Sequence, residues 1–407
     1  MTRPALSPAK NTQIAAIEAS GWGERFRFFQ LRNLAFWVYL IGVVFGTFAL
    51  LQLYGSGGAI FHPALFAGVL LFAIYLLPWL LYLRRQNRFT AQPAKLLLAA
   101  FVWGATGATF WVAINANVAL LEIWAKLFGP SWAAGWGAGL TAPINEEIAK
   151  GLGFLLLVGM APRLVRGAYD GFIVGAFVGL GFQISEDVLY AYQGGQSTFG
   201  VAQVQVAAAT FVQRGVTGIV THALFSAIFC AGIMWVLGRT RGERRILGGL
   251  LAMFLAMFFH FAFDDAGALV GGRARYYWAF LLGLGIVEIG TLVIVRRVAS
   301  RQERVWIRDV LAPEYQAGVV DAPLLAAFSG LRKDRRRFRK LLRSRRRARH
   351  LVTAAGDLAR EIAHAHSDET NRVAFARREV LRLRFPHPAP FYPAPVPTRS
   401  AGRSGFS

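Results

Sequence analysis

Residues 145–160 read Asn-Glu-Glu-Ile-Ala-Lys-Gly-Leu-Gly-Phe-Leu-Leu-Leu-Val-Gly-Met. Two adjacent carboxylates and a lysine open a run that is otherwise apolar. In water this would be an ordinary exposed helical turn. The rest of the chain denies that reading. Apolar runs of about 18 residues or more, enough to cross a bilayer, recur through the first 300 positions. Hydrophobic residues make up 55% of the 407-residue chain and charged residues only 16%. The expected fold class is therefore all-α, a polytopic membrane helical bundle. Inside a bilayer an ionisable side chain is expensive unless it is paired or reached by water, so Glu146, Glu147 and Lys150 together require a reason.

About eight transmembrane helices are expected, over 33–54, 62–83, 96–117, 137–160, 168–190, 216–238, 246–268 and 276–295. Gly129–Gly139, rich in glycine and tryptophan, reads as re-entrant or interfacial, and Ala202–Val212 as a second re-entrant stretch. Eight crossings put both ends on one side. The N-terminal segment and the second, fourth and sixth loops hold 15 Lys and Arg, against 4 in the opposite loops. The positive-inside rule then makes the N and C termini cytoplasmic. The first apolar run starts near Asn33 at full length, so it reads as an anchor rather than a cleaved signal. Cys230 is the single cysteine, which excludes an intrachain disulfide and a Cys-rich zinc site. It reads as core packing.

The implied domain plan is a cytoplasmic N-terminal segment (1–32), a transmembrane domain (33–298), a basic helical cytoplasmic tail (299–385) and a Pro-rich disordered terminus (386–407). The net charge of +23 is concentrated in loops and in this tail, where residues 332–349 carry twelve Lys or Arg. That run reads first as a solvated face that reinforces topology. It also suits anionic inner-leaflet lipid, at about 1 kcal/mol per basic residue near such a surface. Nucleic acid is the disfavoured partner, because Phe338 is the only aromatic interleaved with the basic residues.

The later spans also contain Glu186, Asp187, His222, His260, Asp264, Asp265 and Glu288. At about 1.5 Å per residue, Glu146, Glu186, His222 and His260 lie roughly 22, 27, 25 and 22 Å from the cytoplasmic side. Scattered structural polar residues have no reason to agree in depth, so the agreement points to one shared site in the outer half of the bilayer. Glu146 and Lys150 are four apart and share a helix face, which pairs them and leaves Glu147 to find another partner. His260 and Asp264 repeat the spacing, as do Phe182 and Glu186. Gly175, Gly179 and Gly181 allow a neighbouring helix to approach closely. Glu288 reads as a bundle-facing hydrogen-bonding residue, and Arg214 as either an interfacial anchor or a substrate or oxyanion contact.

This inventory suits amide hydrolysis. Two neighbouring carboxylates at low dielectric cannot both ionise cheaply, which fits Glu146 or Glu147 as general base on a water, with Glu186 helping to orient it. His222 or His260 would donate to the oxyanion, and Asp264 would fix the His260 ring. No serine has a base partner at recognisable spacing. The partner would be a membrane-anchored protein substrate. A proton- or ion-coupled transporter and a non-catalytic membrane scaffold are the alternatives.

Glu-Glu-x-x-Lys, Phe-x-x-x-Glu, an isolated histidine and His-x-x-x-Asp, in that order on successive spans, resemble the motifs of the PrsW family of intramembrane proteases, related to the type II CAAX prenyl endopeptidases. The matching residues are Glu146, Glu147 and Lys150; Phe182 and Glu186; His222; and His260 with Asp264. Asp187 and Asp264 stand where relatives more often have asparagine. The resemblance covers roughly residues 30–300 and implies an all-helical membrane protease, of a kind that in some members cleaves membrane-anchored anti-sigma factors near the extracytoplasmic face. The expected location is the bacterial cell membrane, as an integral multi-pass protein. Members are described both as metalloproteases and as metal-free glutamate proteases. No His-Glu-x-x-His is present, which favours no cofactor. If a metal is present, zinc would be held by Glu147, Glu186, His222 and His260.

Overall fold

The computed structural model describes residues 7–239 and 244–385, which contain helices and no strands. The chain divides into two compact units, with the boundary between Val310 and Leu311.

The first unit contains α1 (Pro8–Ser20), α2 (Leu34–Gln86), α3 (Ala94–Trp103), α4 (Ile114–Phe128), α5 (Pro130–Met160), α6 (Ala168–Ser197), α7 (Gln203–Thr217), α8 (His222–Leu237), α9 (Ile246–Asp264), α10 (Ala266–Leu269) and α11 (Ala274–Val310). Seven segments are long and apolar enough to cross a membrane: Leu34–Gly57, Ala59–Phe89, Ala94–Phe128, Ala168–Ser197, Gln203–Leu237, Ile246–Asp264 and Ala274–Val310. They account for all but one of the expected spans. The remaining one is α5, whose 31 residues extend about 46 Å; Glu146, Glu147 and Lys150 put three charged side chains within five positions of it. Large apolar side chains cover the outside, with Leu247 82% and Phe66 71% exposed. Such a surface is stable against lipid and unstable against water.

Local chemistry marks the ends of these helices. The Asn33 side chain accepts from the Ala35 amide and opens α2, satisfying one of the free amides of a helix start. Non-helical dihedrals at Phe61, two residues before Pro63, bend α2 between its two spans. Gly129, at φ 89° and ψ 155°, turns the chain from α4 into α5, a conformation only glycine adopts cheaply. Pro130 follows at the first helical position, where its missing N–H costs nothing. Gly129–Gly139, expected as a re-entrant or interfacial stretch, is helical after its first residue. It is the turn and first third of a continuous helix lying beside α4, with Trp124 Nε1 donating to Thr141 Oγ1 at 3.1 Å.

The bundle is organised around α6, 83% of whose span is buried, against 17% for α11. Its glycines let backbones touch on one side. A Cβ at Gly179 would lie 2.1 Å from the carbonyl oxygen of His222, and one at Gly175 would lie 2.4 Å from that of Ser226. On the other side the α3 end approaches as closely: a Cβ at Gly104 would meet the Val178 carbonyl at 1.9 Å.

Two departures from the expected spans shape the site. The third span is not uniform, because Gly104–Ala113 is wound as π-helix between α3 and α4. Each wide turn shifts the register of the residues after it, and Asn117 comes immediately beyond the last one. The expected span 216–238 is interrupted. The stretch read as re-entrant is helix α7, followed by a 3₁₀ turn at Gly218–Val220, and α8 begins only at His222. Gln183 of α6 donates to the Gly218 carbonyl at 2.9 Å and holds this break in place.

The second unit holds α12 (Ala312–Gln316), α13 (Ala322–Ser329), α14 (Arg332–Leu342), α15 (Arg345–His364) and α16 (Asn371–Arg384). Leu324, Phe338, Leu351, Leu358, Ile362 and Val380 are buried in it. Asp321, Ser344 and Thr370 cap three of its helices through their side chains. The last spanning helix runs past 298 to Val310, so the expected basic tail is a folded unit that starts later than 299. The Pro-rich stretch 386–407 lies outside the described residues.

If the α6–α8 contact orders the bundle, Gly179→Leu should lower the thermal midpoint of the detergent-solubilised protein by several degrees, the consequence of about 1–3 kcal/mol of overpacking. Gly283→Leu, where nothing lies within 4 Å of an added Cβ, should leave it unchanged.

Candidate active site

Six helices, α4 to α9, bring their polar residues to one place. On α5, Lys150 is fully buried, donates to Glu147 Oε1 at 2.6 Å and lies 3.1 Å from His222 Nδ1. The Phe182 ring faces its ammonium at 4.3 Å. The expected Lys150–Glu146 pair is the longer contact, at 3.7 Å, so the lysine holds Glu147 instead. The cause is a contest between neighbours. Ser226 of α8 donates to Glu147 Oε2 at 3.2 Å, while Asn117 of α4 donates to Glu146 Oε1 at 3.0 Å. The two adjacent carboxylates thus answer to different donors, while both stay within 3.7 Å of Lys150 Nζ.

The helix pair α6–α7 supplies a second ion group. Arg214 bonds Glu186 at 2.5 Å through Nη2 and Asp187 through Nε, and stacks over the Tyr190 ring at 4.1 Å. Arg214 thereby neutralises two adjacent acids that would otherwise be buried without a counter-ion. Glu186 Oε2 is also 2.8 Å from His222 Nε2. Both imidazole nitrogens of His222 are satisfied when Nε2–H donates to Glu186 and Nδ1 accepts from Lys150.

From α9, His260 stacks on Phe225 at 5.1 Å. Its Nδ1 is 3.4 Å from Glu147 Oε1, and its Nε2 is 3.4 Å from Asp264 Oδ2, as the four-residue spacing predicts. Glu146 Oε2 is buried without a hydrogen-bond partner. Around it Lys150 Nζ, His222 Nδ1 and His260 Nε2 each stand 3.7 Å away.

A cavity of about 270 Å³ opens onto this cluster. Glu146, Glu186, His222, Asp264 and Arg214 line it with Asn117, Thr141 and Tyr190, and Leu121, Ala138, Ala142 and Phe263 complete the wall. Glu147, Lys150 and His260 stand behind the lining. All nine residues expected at the site are therefore gathered in it, at two depths from the cavity. Glu288 is not joined to it by a hydrogen bond. It is fully buried, and neither of its carboxylate oxygens has a hydrogen-bond partner among the described residues, contrary to the hydrogen-bonding role expected of it.

Asn117 is the residue the sequence reading missed. Besides holding Glu146, it accepts from Asn145 Nδ2 at 3.1 Å, so a short amide chain fixes the Glu146 carboxylate. The available signal was an asparagine inside an apolar run. Its register toward α5 depends on the π-helical turns, which carry no such signal.

Five carboxylates (Glu146, Glu147, Glu186, Asp187 and Asp264) face two obligate cations, Lys150 and Arg214. Protons or a divalent ion must offset the remaining negative charge. The donor types suit an ion: Glu146, His222 and His260 can each present one ligand atom within 4.8 Å of the others. This set differs from the expected one, because Glu147 is committed to Lys150 and Ser226, and Glu186 to Arg214. To join, His222 would release Lys150 or Glu186.

A membrane-crossing helical bundle that buries acids and imidazoles around one cavity has the build of an intramembrane hydrolase. Residues 92–301 match the profile of the PrsW family intramembrane metalloproteases, and the chain belongs to that family. No curated protein and no solved structure gives a significant match. The chain is thus an integral, multi-pass membrane protein of a protease family.

Removing one member of a buried ion pair strands the other. Lys150→Met should therefore destabilise the solubilised protein by about 3–5 kcal/mol, read by thermal denaturation. The double variant Lys150→Met/Glu147→Gln should recover most of that loss.

Proposed function

We propose that the chain hydrolyses a peptide bond of a membrane-anchored protein in this cavity, with Glu146 as the group that activates the water. The observation that carries the reading is the Oε2 atom of Glu146, which has no hydrogen bond of its own and three nitrogen neighbours at 3.7 Å. That distance is too long for a direct hydrogen bond and suits a water between the groups. Glu147 serves a different purpose: it does not line the cavity, and its two oxygens are engaged by Lys150 and Ser226.

The remaining roles follow from the contacts. Asn117 aims the Glu146 carboxylate. Glu146 takes the proton of the attacking water and returns it to the leaving amine. His222 lines the cavity with Nε2–H on Glu186 and Nδ1 on Lys150, and stabilises the developing oxyanion by turning that N–H from the carboxylate toward it. Arg214 holds the Glu186 carboxylate beside the His222 ring, and Asp264 orients His260. The loop-charge asymmetry supports a site level with the outer half of the bilayer, which suits cleavage near the extracytoplasmic face. A membrane-anchored anti-sigma factor is one substrate of this kind.

A second reading keeps the same reaction and adds a metal, favoured by the Glu146, His222 and His260 triple and by the family's description as metalloproteases. Zinc held by those three groups would supply Lewis acidity toward the water or the scissile carbonyl. Glu186 would then fix the His222 ring as an outer-shell carboxylate.

Two measurements test this. Glu146→Gln, folded and inserted, should lower cleavage of a co-expressed membrane substrate by at least about a hundredfold; unchanged cleavage would remove Glu146 from the mechanism. If the metal is resident, the purified wild type should carry zinc by elemental analysis, lose activity on chelation and regain it on zinc addition, and His260→Ala should carry less.

A further inference from the structure

The strongest feature outside the site is α14 with the start of α15. Of the twelve Lys and Arg between 332 and 349, ten are exposed. Four acids elsewhere in the unit are taken up internally: Glu314 and Glu369 by Arg377, Asp321 by Arg384, and Glu379 by Arg382. No ion pair reaches the ten exposed cations among the described residues. Their crowding is felt at Arg335, which burial and then the adjacent Arg339 and Arg332 hold below the ordinary arginine range.

Beside this face lies an apolar cleft of about 150 Å³, floored by Leu324, Phe338, Leu342 and Leu351 and edged by Phe385 and by Leu341, which is 64% exposed. An unpaired cationic face bordering an apolar cleft fits a partner with an anionic head and a hydrocarbon body. The unit follows directly in sequence on α11, which is long and apolar enough to cross a membrane, so it is tethered to a lipid surface at high effective concentration.

We propose that the α14 face docks on anionic phospholipid, with Arg336, Arg337, Arg339 and Lys340 on headgroup phosphates and Leu341 entering the acyl boundary. Multiple basic residues beside an exposed leucine are the composition of an interfacial helix. Nucleic acid offers nothing to fill an apolar cleft, and the one aromatic on α14, Phe338, is buried and cannot stack on bases.

Trypsin reads this surface directly, since it cuts after Lys and Arg. The full chain is placed in nanodiscs of phosphatidylcholine alone or with phosphatidylglycerol, and release of peptides from 332–349 is timed. Phosphatidylglycerol should slow cleavage there about tenfold, and raised salt should reverse much of the effect. Changing Arg336, Arg337, Arg339 and Lys340 together to Gln should abolish the protection. Changing the three arginines to Lys should retain it, and Leu341→Ser should weaken it about threefold. Unaltered cleavage at Arg377 confirms that the variants are folded. Three results would overturn the proposal: equal cleavage in both lipids, equal protection by inorganic phosphate in neutral nanodiscs, or stronger protection there by an added RNA or DNA oligonucleotide. Protection that is lost when the chain is ended at Phe385 would overturn it as well.

Discussion

Lys150 is a cation with no route to water, and the site is built on how its charge is answered. A buried ammonium can be kept only by close acids and hydrogen-bond acceptors. Glu147 answers the charge, His222 accepts one of its hydrogens and the Phe182 ring presents its negative face. Those three come from three helices, so the lysine ties α5 to α6 and α8. It also fixes which nitrogen of His222 is left to meet Glu186. One buried charge therefore sets a chain of orientations that ends at Arg214 on α7.

The same arrangement explains the division between two consecutive glutamates. Neighbours on a helix point about 100° apart, so one can belong to the interior and the other to a cavity. Glu147 is the interior partner that makes the lysine tolerable. Glu146 is left with one asparagine and an unoccupied oxygen. A single acid at this level would have to do both tasks, and an acid locked to an ammonium is a poor proton acceptor.

Much of this was legible in the sequence. Apolar run lengths gave the bundle, and counting residues from the loops placed Glu146, Glu186, His222 and His260 at one level, where the structure joins them. Four-residue spacing correctly paired His260 with Asp264. The same rule misassigned Lys150, because spacing does not reveal which of two acids has a competing donor on another helix; Asn117 and Ser226 decide that. The break before His222 was hidden because Gly218–Thr221 is apolar enough to continue a span, and Gln183 holds it from outside. The π-helical register of Asn117 starts at Gly104, where the backbone lies against the Val178 carbonyl of α6, and no spacing in the sequence announces it. The second unit read as a tail because its surface is so basic that its small core, rich in alanine, was overlooked.

Where Glu146 stands bears on what it can reach. Inside a helix each peptide carbonyl is held by the amide four residues on and is sheathed by side chains. A substrate that crosses the bilayer as a helix therefore offers its backbone to a carboxylate on a cavity wall only where its winding opens. Glycine, proline or polar residues near the cut would make that unwinding cheap, and a uniformly leucine-rich segment would resist it. Selection between membrane anchors can thus rest on how readily each one frays, with no need for a pocket that reads its side chains.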